Sequence, residues 1–96
     1  MVRHIISFKL KENSVENCKK MQKILLSMKE NVPTVKNIDV RLDQLRSARS
    51  YDVFLSVDVE GWDALNVYQN DEYHCNVVKN YVHEVAESSV AIDYEY

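Results

Sequence analysis

The chain has 96 residues, which is the length of one domain, and it is read as a single domain over positions 1–96. Twelve Lys and Arg against fifteen Asp and Glu leave a net charge of −3, which excludes attachment to nucleic acid by bulk charge, because phosphate neutralisation needs a basic surplus or a basic face. Hydrophobic residues at 46% and charged residues at 28% suit a folded domain and are too apolar for disorder. A chain this short buries only about 60–65% of its unfolded surface, so the core is small and such a domain gains by pairing with a copy of itself.

The chain has one glycine, Gly61, and one proline, Pro33. Glycine-rich loops that cradle phosphates need several glycines at fixed spacing, so nucleotide binding of that kind is excluded. Cys18 and Cys75 lie far apart and form no C-x-x-C pair, so neither a zinc knuckle nor a redox motif is present. Both fall among residues of helical pattern and are expected as reduced, buried thiols of a cytoplasmic protein. No apolar run approaches the roughly 20 residues of a membrane span, and the apolar stretch near the N-terminus is too short for a signal peptide. Neither a membrane nor a nucleic acid is expected as partner.

In chain order, His4, Ile6, Phe8 and Leu10 alternate with Ile5, Ser7 and Lys9, the period of a first strand. Asn13-Ser14-Val15-Glu16 resembles a capping box, with Asn13 as the N-cap and Glu16 reaching back. Val15, Cys18, Met21, Leu25 and Met28 then form one stripe of an amphipathic helix, which Pro33 ends. Ile38, Val40 and Leu42 alternate with Asp39, Arg41 and Asp43 as a second strand, and a polar connection over 44–50 follows. Positions 51–59 read as a third strand, with Val53, Leu55, Val57 and Val59 on one side and Phe54, Ser56 and Asp58 on the other.

After Gly61, Trp62, Leu65 and Tyr68 share a helical face, with Trp62 expected to pack as a staple near the helix start. From Asp71, the residues His74, Val78, Tyr81 and Val85 repeat at helical spacing, joined by Val77 and Val82. Positions 88–96 alternate Val90, Ile92, Tyr94 and Tyr96 with Ser89, Ala91, Asp93 and Glu95, a fourth strand. The order β-α-β-β-α-β is that of an α+β, ferredoxin-like fold: an antiparallel four-stranded sheet with helices on one face. Ile5 and Phe54 point away from the helices. If Ser89 and Ala91 lie beneath the helices, Val90, Ile92, Tyr94 and Tyr96 join them in an apolar outer patch; if the fourth strand turns its large row inward, the outer face is milder. A patch of the first kind marks an interface, and a two-fold symmetric dimer through Ile5, Phe54 and Tyr94 is the expectation.

The opening VRHIISFKLKE, the VP-x-V after the first helix, the block YDVFLSVDVEGWDALNVYQNDEYH and the closing VAIDYEY together resemble the stress-responsive A/B barrel (Dabb) family over essentially the whole chain. The resemblance implies a homodimeric α+β barrel, in which two ferredoxin-like protomers pair their sheets with the helices outside. It also implies a stress-response-type domain of uncharacterised activity, expected to bind a small apolar or aromatic ligand in a pocket between sheet and helices. The alternative is a cofactor-independent enzyme, polyketide cyclase-like or monooxygenase-like, acting on a polyketide-like or phenolic substrate. Haem handling, as in related α+β barrels, is a third reading. His4 matches the family's first-strand histidine, His74 the histidine after the second helix, and Tyr68 a tyrosine of the cyclase pocket. The chain departs from the cyclase pattern where Asp71-Glu72 stands in place of His-Pro and where Leu25 stands in place of a first-helix tyrosine.

His4 belongs to the inward row of the first strand and His74 to the inward stripe of the second helical segment, so the two are expected in one pocket. Imidazoles there suit a general base and an orienting group, because the class changes charge near neutral pH; the competing reading is a hydrogen-bonded structural pair. Tyr68 is expected at the rim and Ile6, Phe8 and Leu55 in the lining. Asp71, three residues before His74, is either the group that fixes its tautomer or a carboxylate at the helix start. A metal at His4 and His74 would need a third ligand, from Asp71 or Cys75, and no metal or other cofactor is expected. His83 is placed on the solvated face without a role.

Overall fold

The computed structural model describes residues 1–96. Its elements run β1 (Val2–Leu10), α1 (Val15–Leu26), α2 (Met28–Asn31), β2 (Asn37–Leu42), β3 (Val53–Val59), α3 (Trp62–Gln69), a π-helical turn (His74–Lys79), α4 (Asn80–Val85) and β4 (Ala86–Glu95). All strands pair antiparallel in the order β2-β3-β1-β4. This is the ferredoxin-like arrangement, with the chain's first and last strands side by side.

Partners directly opposite in an antiparallel pair share a face. β1 pairs His4 with Val57 and with Asp93, Ile6 with Leu55 and Ala91, and Phe8 with Val53 and Ser89. The inward row of β4 is therefore Ser89, Ala91 and Asp93, and its large residues face outward. On that outer face Val90, Ile92 and Tyr94 are exposed, while Ile5 and Phe54 are half-buried. Arg3 crosses the same face and donates through Nε and Nη2 to Asp58 at 2.8 and 3.1 Å. The guanidinium holds the Asp58 carboxyl below its usual range, against the opposing effect of burial.

The core lies between sheet and helices. Cys18, Met21, Leu25 and Met28 are all buried, against Val40, Val53, Leu55 and Val57 of the sheet. Each such aliphatic side chain contributes on the order of 1.5–3 kcal/mol by leaving water. Several details depart from the sequence reading. The N-cap is Ser14 and not Asn13: its hydroxyl accepts from the Asn17 N–H at 3.2 Å, and Val15, the first helical residue, is 58% exposed. α1 stops at Leu26, before Pro33; at the break the Ser27 hydroxyl donates to the Ile24 carbonyl, and a short α2 follows. Trp62 is 49% exposed and so does not staple the helix start. Val77 is also exposed, at 40%. The π-helical turn holds an extra residue per turn relative to an α-helix, which rotates its side chains away from the α-helical pattern.

Candidate functional site

The inward row of β4, Ser89, Ala91 and Asp93, stays exposed, and of it only Ser89 borders the space beneath α3, the π-helical turn and α4. A cavity of about 250 Å³ lies there. Its floor is β1 and β3, through Ile6, Phe8 and Leu55; Leu25 and Met28 close one side, Val78 and Val82 another. His4, Tyr68 and His74 bring the polar groups, and Gln69, Lys79, His83 and Ser89 edge it.

The two histidines do meet around one space. Tyr68 touches both: its ring lies 5.8 Å from the His4 ring, edge-on, and 4.4 Å from the His74 ring. No hydrogen bond joins the imidazoles directly. Tyr68 is not at the rim as expected but fully buried, because the face shared by Trp62, Leu65 and Tyr68 turns its last member onto the sheet. Burial, with the Asp71 charge second, pushes its phenol far above the ordinary value, so Tyr68 is a neutral donor whose nearest acceptor is the Met28 thioether at 3.6 Å.

His4 is 4% exposed, and its Nδ1 is bonded to Oδ1 of Asp93. A carboxylate only accepts, so Nδ1 carries the proton, and in the neutral ring the lone pair falls to Nε2. Asp93 is the residue that sequence reasoning missed. Its signal was the alternation of Ser89, Ala91 and Asp93 taken together with an antiparallel pairing of the first and last strands, which places it opposite His4.

His74 is 7% exposed, and its Nδ1 is buried without a hydrogen-bond partner. Burial, then the Lys79 charge, lower its pKa from 6.5, so the ring is neutral at pH 7. Asp71 does not orient that ring. Its carboxylate accepts the backbone N–H of His74 at 3.0 Å, and the side chain borders a separate groove with Glu72 and Asn76. The reason is its place at the start of the turn, where free N–H groups attract a carboxylate. Asp71 is thus outside the cavity, whereas Ile6, Phe8 and Leu55 line it. His83 is exposed as expected, yet it edges the cavity mouth. No group of three His, Cys, Asp or Glu side chains is placed to hold a metal ion, and no helix is long and apolar enough to cross a membrane. Both cysteines are free; Cys18 is buried, and burial pushes its thiol up, while Cys75 is half-buried rather than buried.

An open four-stranded antiparallel sheet covered by helices on one face, with a histidine-lined cavity beneath them, defines a small α+β, ferredoxin-like domain. The chain belongs to the Stress Responsive A/B Barrel Domain (Dabb) family, whose model matches residues 2–96. Among solved structures it is similar to At3g17210 of Arabidopsis thaliana, at 16% identity and a TM-score of 0.85, covering 100% of this chain and 95% of that one. It is also similar to a dabb family protein with a ferredoxin-like fold from Mesorhizobium loti, at 22% identity and a TM-score of 0.78, covering 99% of this chain and 95% of that one. A dimeric protein of unknown function and ferredoxin-like fold from Bacteroides fragilis matches at 21% identity and a TM-score of 0.82, covering 99% and 95%. No curated protein matches the chain significantly.

Proposed function

We propose that the chain forms a homodimer through the outer face of its sheet and that each protomer binds a small, largely apolar or aromatic molecule in the cavity between sheet and helices. The observation that carries the binding reading is the cavity itself: about 250 Å³ of space lined mainly by apolar side chains, with the imidazoles of His4 and His74 on its wall. Ligand sites are concave, mostly apolar and furnished with a few polar groups, which is this composition. A hydroxyl or carbonyl of the ligand would complete the polar groups the chain leaves open. The dimer is supported by Val90, Ile92 and Tyr96, each more than half exposed, beside Ile5 and Phe54, and by the dimeric relative from Bacteroides fragilis. Two free cysteines support a reducing, cytoplasmic setting.

Binding is tested by titrating 2-naphthamide, a bicyclic aromatic amide, and reading naphthalene fluorescence. Saturable binding at one molecule per protomer is expected in the wild type and weaker binding in Ser89→Leu, which adds bulk at the cavity edge; affinity that Ser89→Leu leaves intact would reject the site. Sedimentation at micromolar concentration should give a dimer, and Phe54→Glu a monomer; a wild-type monomer would reject the interface.

One observation favours a second reading, catalysis without a cofactor. The His4–Asp93 pair favours the tautomer that presents Nε2 as a base, and the Tyr68 ring, 5.8 Å from the His4 ring, carries a neutral phenol into the same cavity wall. Such a set would take a proton from carbon next to a carbonyl while the phenol steadies the developing enolate. Exchange of the methyl protons of acetophenone into deuterated water, followed by NMR, should be accelerated by the wild type, abolished in His4→Gln and weakened in Asp93→Asn. Exchange at the buffer rate with wild-type protein would leave the domain a binder.

A further inference from the structure

The cavity mouth carries charge of one sign. None of the residues lining the cavity is a carboxylate, although the chain has fifteen Asp and Glu and a net charge of −3. Lys79 and His83, four residues apart across the junction of the π-helical turn and α4, both edge the cavity and are both exposed. Lys79 forms no ion pair within the chain, whereas Lys36 meets Glu60 at 3.3 Å. Gln69 and Ser89 complete the edge as uncharged hydrogen-bonding groups.

We infer that the ligand of this cavity is an anionic amphiphile: an apolar or aromatic body inside, and a carboxylate held at the mouth by Lys79 and His83. The inference rests on the binding reading above and adds the chemical class of the ligand. Its orientation follows from the two ends of the space. At the inner end His74 is held neutral, and His4 already faces the carboxylate of Asp93, so a second carboxylate there would be desolvated and repelled. At the mouth an anion keeps part of its hydration and meets a lysine with no competing partner. The inner end instead suits a neutral hydroxyl or carbonyl. Anionic amphiphiles are also the molecules that an acidic protein would otherwise repel, so an acid-free opening is the place where they can enter.

The test compares 2-naphthoate with 2-naphthamide, matched in size and differing in charge, by fluorescence titration of the wild-type protein, Lys79→Gln and Lys79→Gln/His83→Gln. In the wild type at low salt the naphthoate should bind more tightly by about fivefold or more. That advantage should shrink as salt rises, fall in Lys79→Gln and vanish in the double variant, with naphthamide affinity changing less than naphthoate affinity at each step. Equal affinities in the wild type, or an advantage that survives in the double variant, would overturn the inference and leave the cavity as a site for neutral ligands. Failure of both probes to bind the wild type would overturn the inference and the binding reading together.

Discussion

The two halves of the helical layer differ in how they treat the same sheet. Over β2 and β3, α1 and α2 bury four side chains, Cys18, Met21, Leu25 and Met28, against valines and leucines. On the cavity side, α3 buries Tyr68, the π-helical turn buries His74 and Val78, and α4 buries nothing fully. The difference arises from the strand beneath. β3 offers Val53, Leu55, Val57 and Val59, all buried, whereas β4 offers Ser89 and Ala91, both exposed. One half is therefore closed by packing, and the other keeps a cavity into which the chain's polar buried groups are gathered. Stability is concentrated in the first half and the chemistry in the second.

This contrast can be broken most forcefully by truncation. Met21→Ala should destabilise the domain by about 2–5 kcal/mol in urea unfolding, whereas Val82→Ala, at the half-buried wall of the cavity, should cost about 1 kcal/mol or less. Equal losses would mean that both halves are packed alike. Enlargement gives the converse. Cys18→Leu should cost about 1–3 kcal/mol by overpacking, and Ser89→Leu less than about 1 kcal/mol because it grows into open space.

Smaller effects separate the two halves by pH. His74 has a lowered pKa when folded, so the unfolded chain binds more protons just below 6.5 and stability should fall as pH drops through that window. In His74→Leu that slope should flatten, with stability at pH 7 equal or higher by about 1 kcal/mol since the unpartnered nitrogen is gone. Asp58 acts lower on the scale. Its carboxyl is held below 3.8 by Arg3, so its contribution is complete above that value and is lost only as pH falls further. Arg3→Gln should remove this acid-side loss and leave the window near 6.5 untouched; a change in the upper window would mean that the outer face and the cavity are coupled.

The filled half was the more legible in the sequence. The stripe from Cys18 to Met28 and the alternation of β2 and β3 are local patterns, and each residue there, Val15 apart, is where its period puts it. The cavity half depends on relations between distant positions. Which row of β4 faces inward was open until the pairing of Ile6 with Ala91 decided it. Asp93 lies 89 residues from the His4 it holds, so no spacing rule connects them. The π-helical turn has no sequence mark, and its extra residue carries Val77 outward. Asp71, adjacent in sequence to the site, proved to belong to the backbone of the turn, which is the commoner use of a carboxylate at such a position.

The most direct measurement is the NMR spectrum of the protein with ¹⁵N-labelled histidine side chains, titrated with 2-naphthamide. The neutral probe keeps the outcome independent of charge at the mouth. If the cavity is the binding site, the ring nitrogens of His4 and His74 shift together and saturate at one molecule per protomer, and in Ser89→Leu the same shifts need more probe. If the probe binds while both rings stay unmoved, or if they do not respond at any probe concentration, the space between sheet and helices is not the site and the account fails.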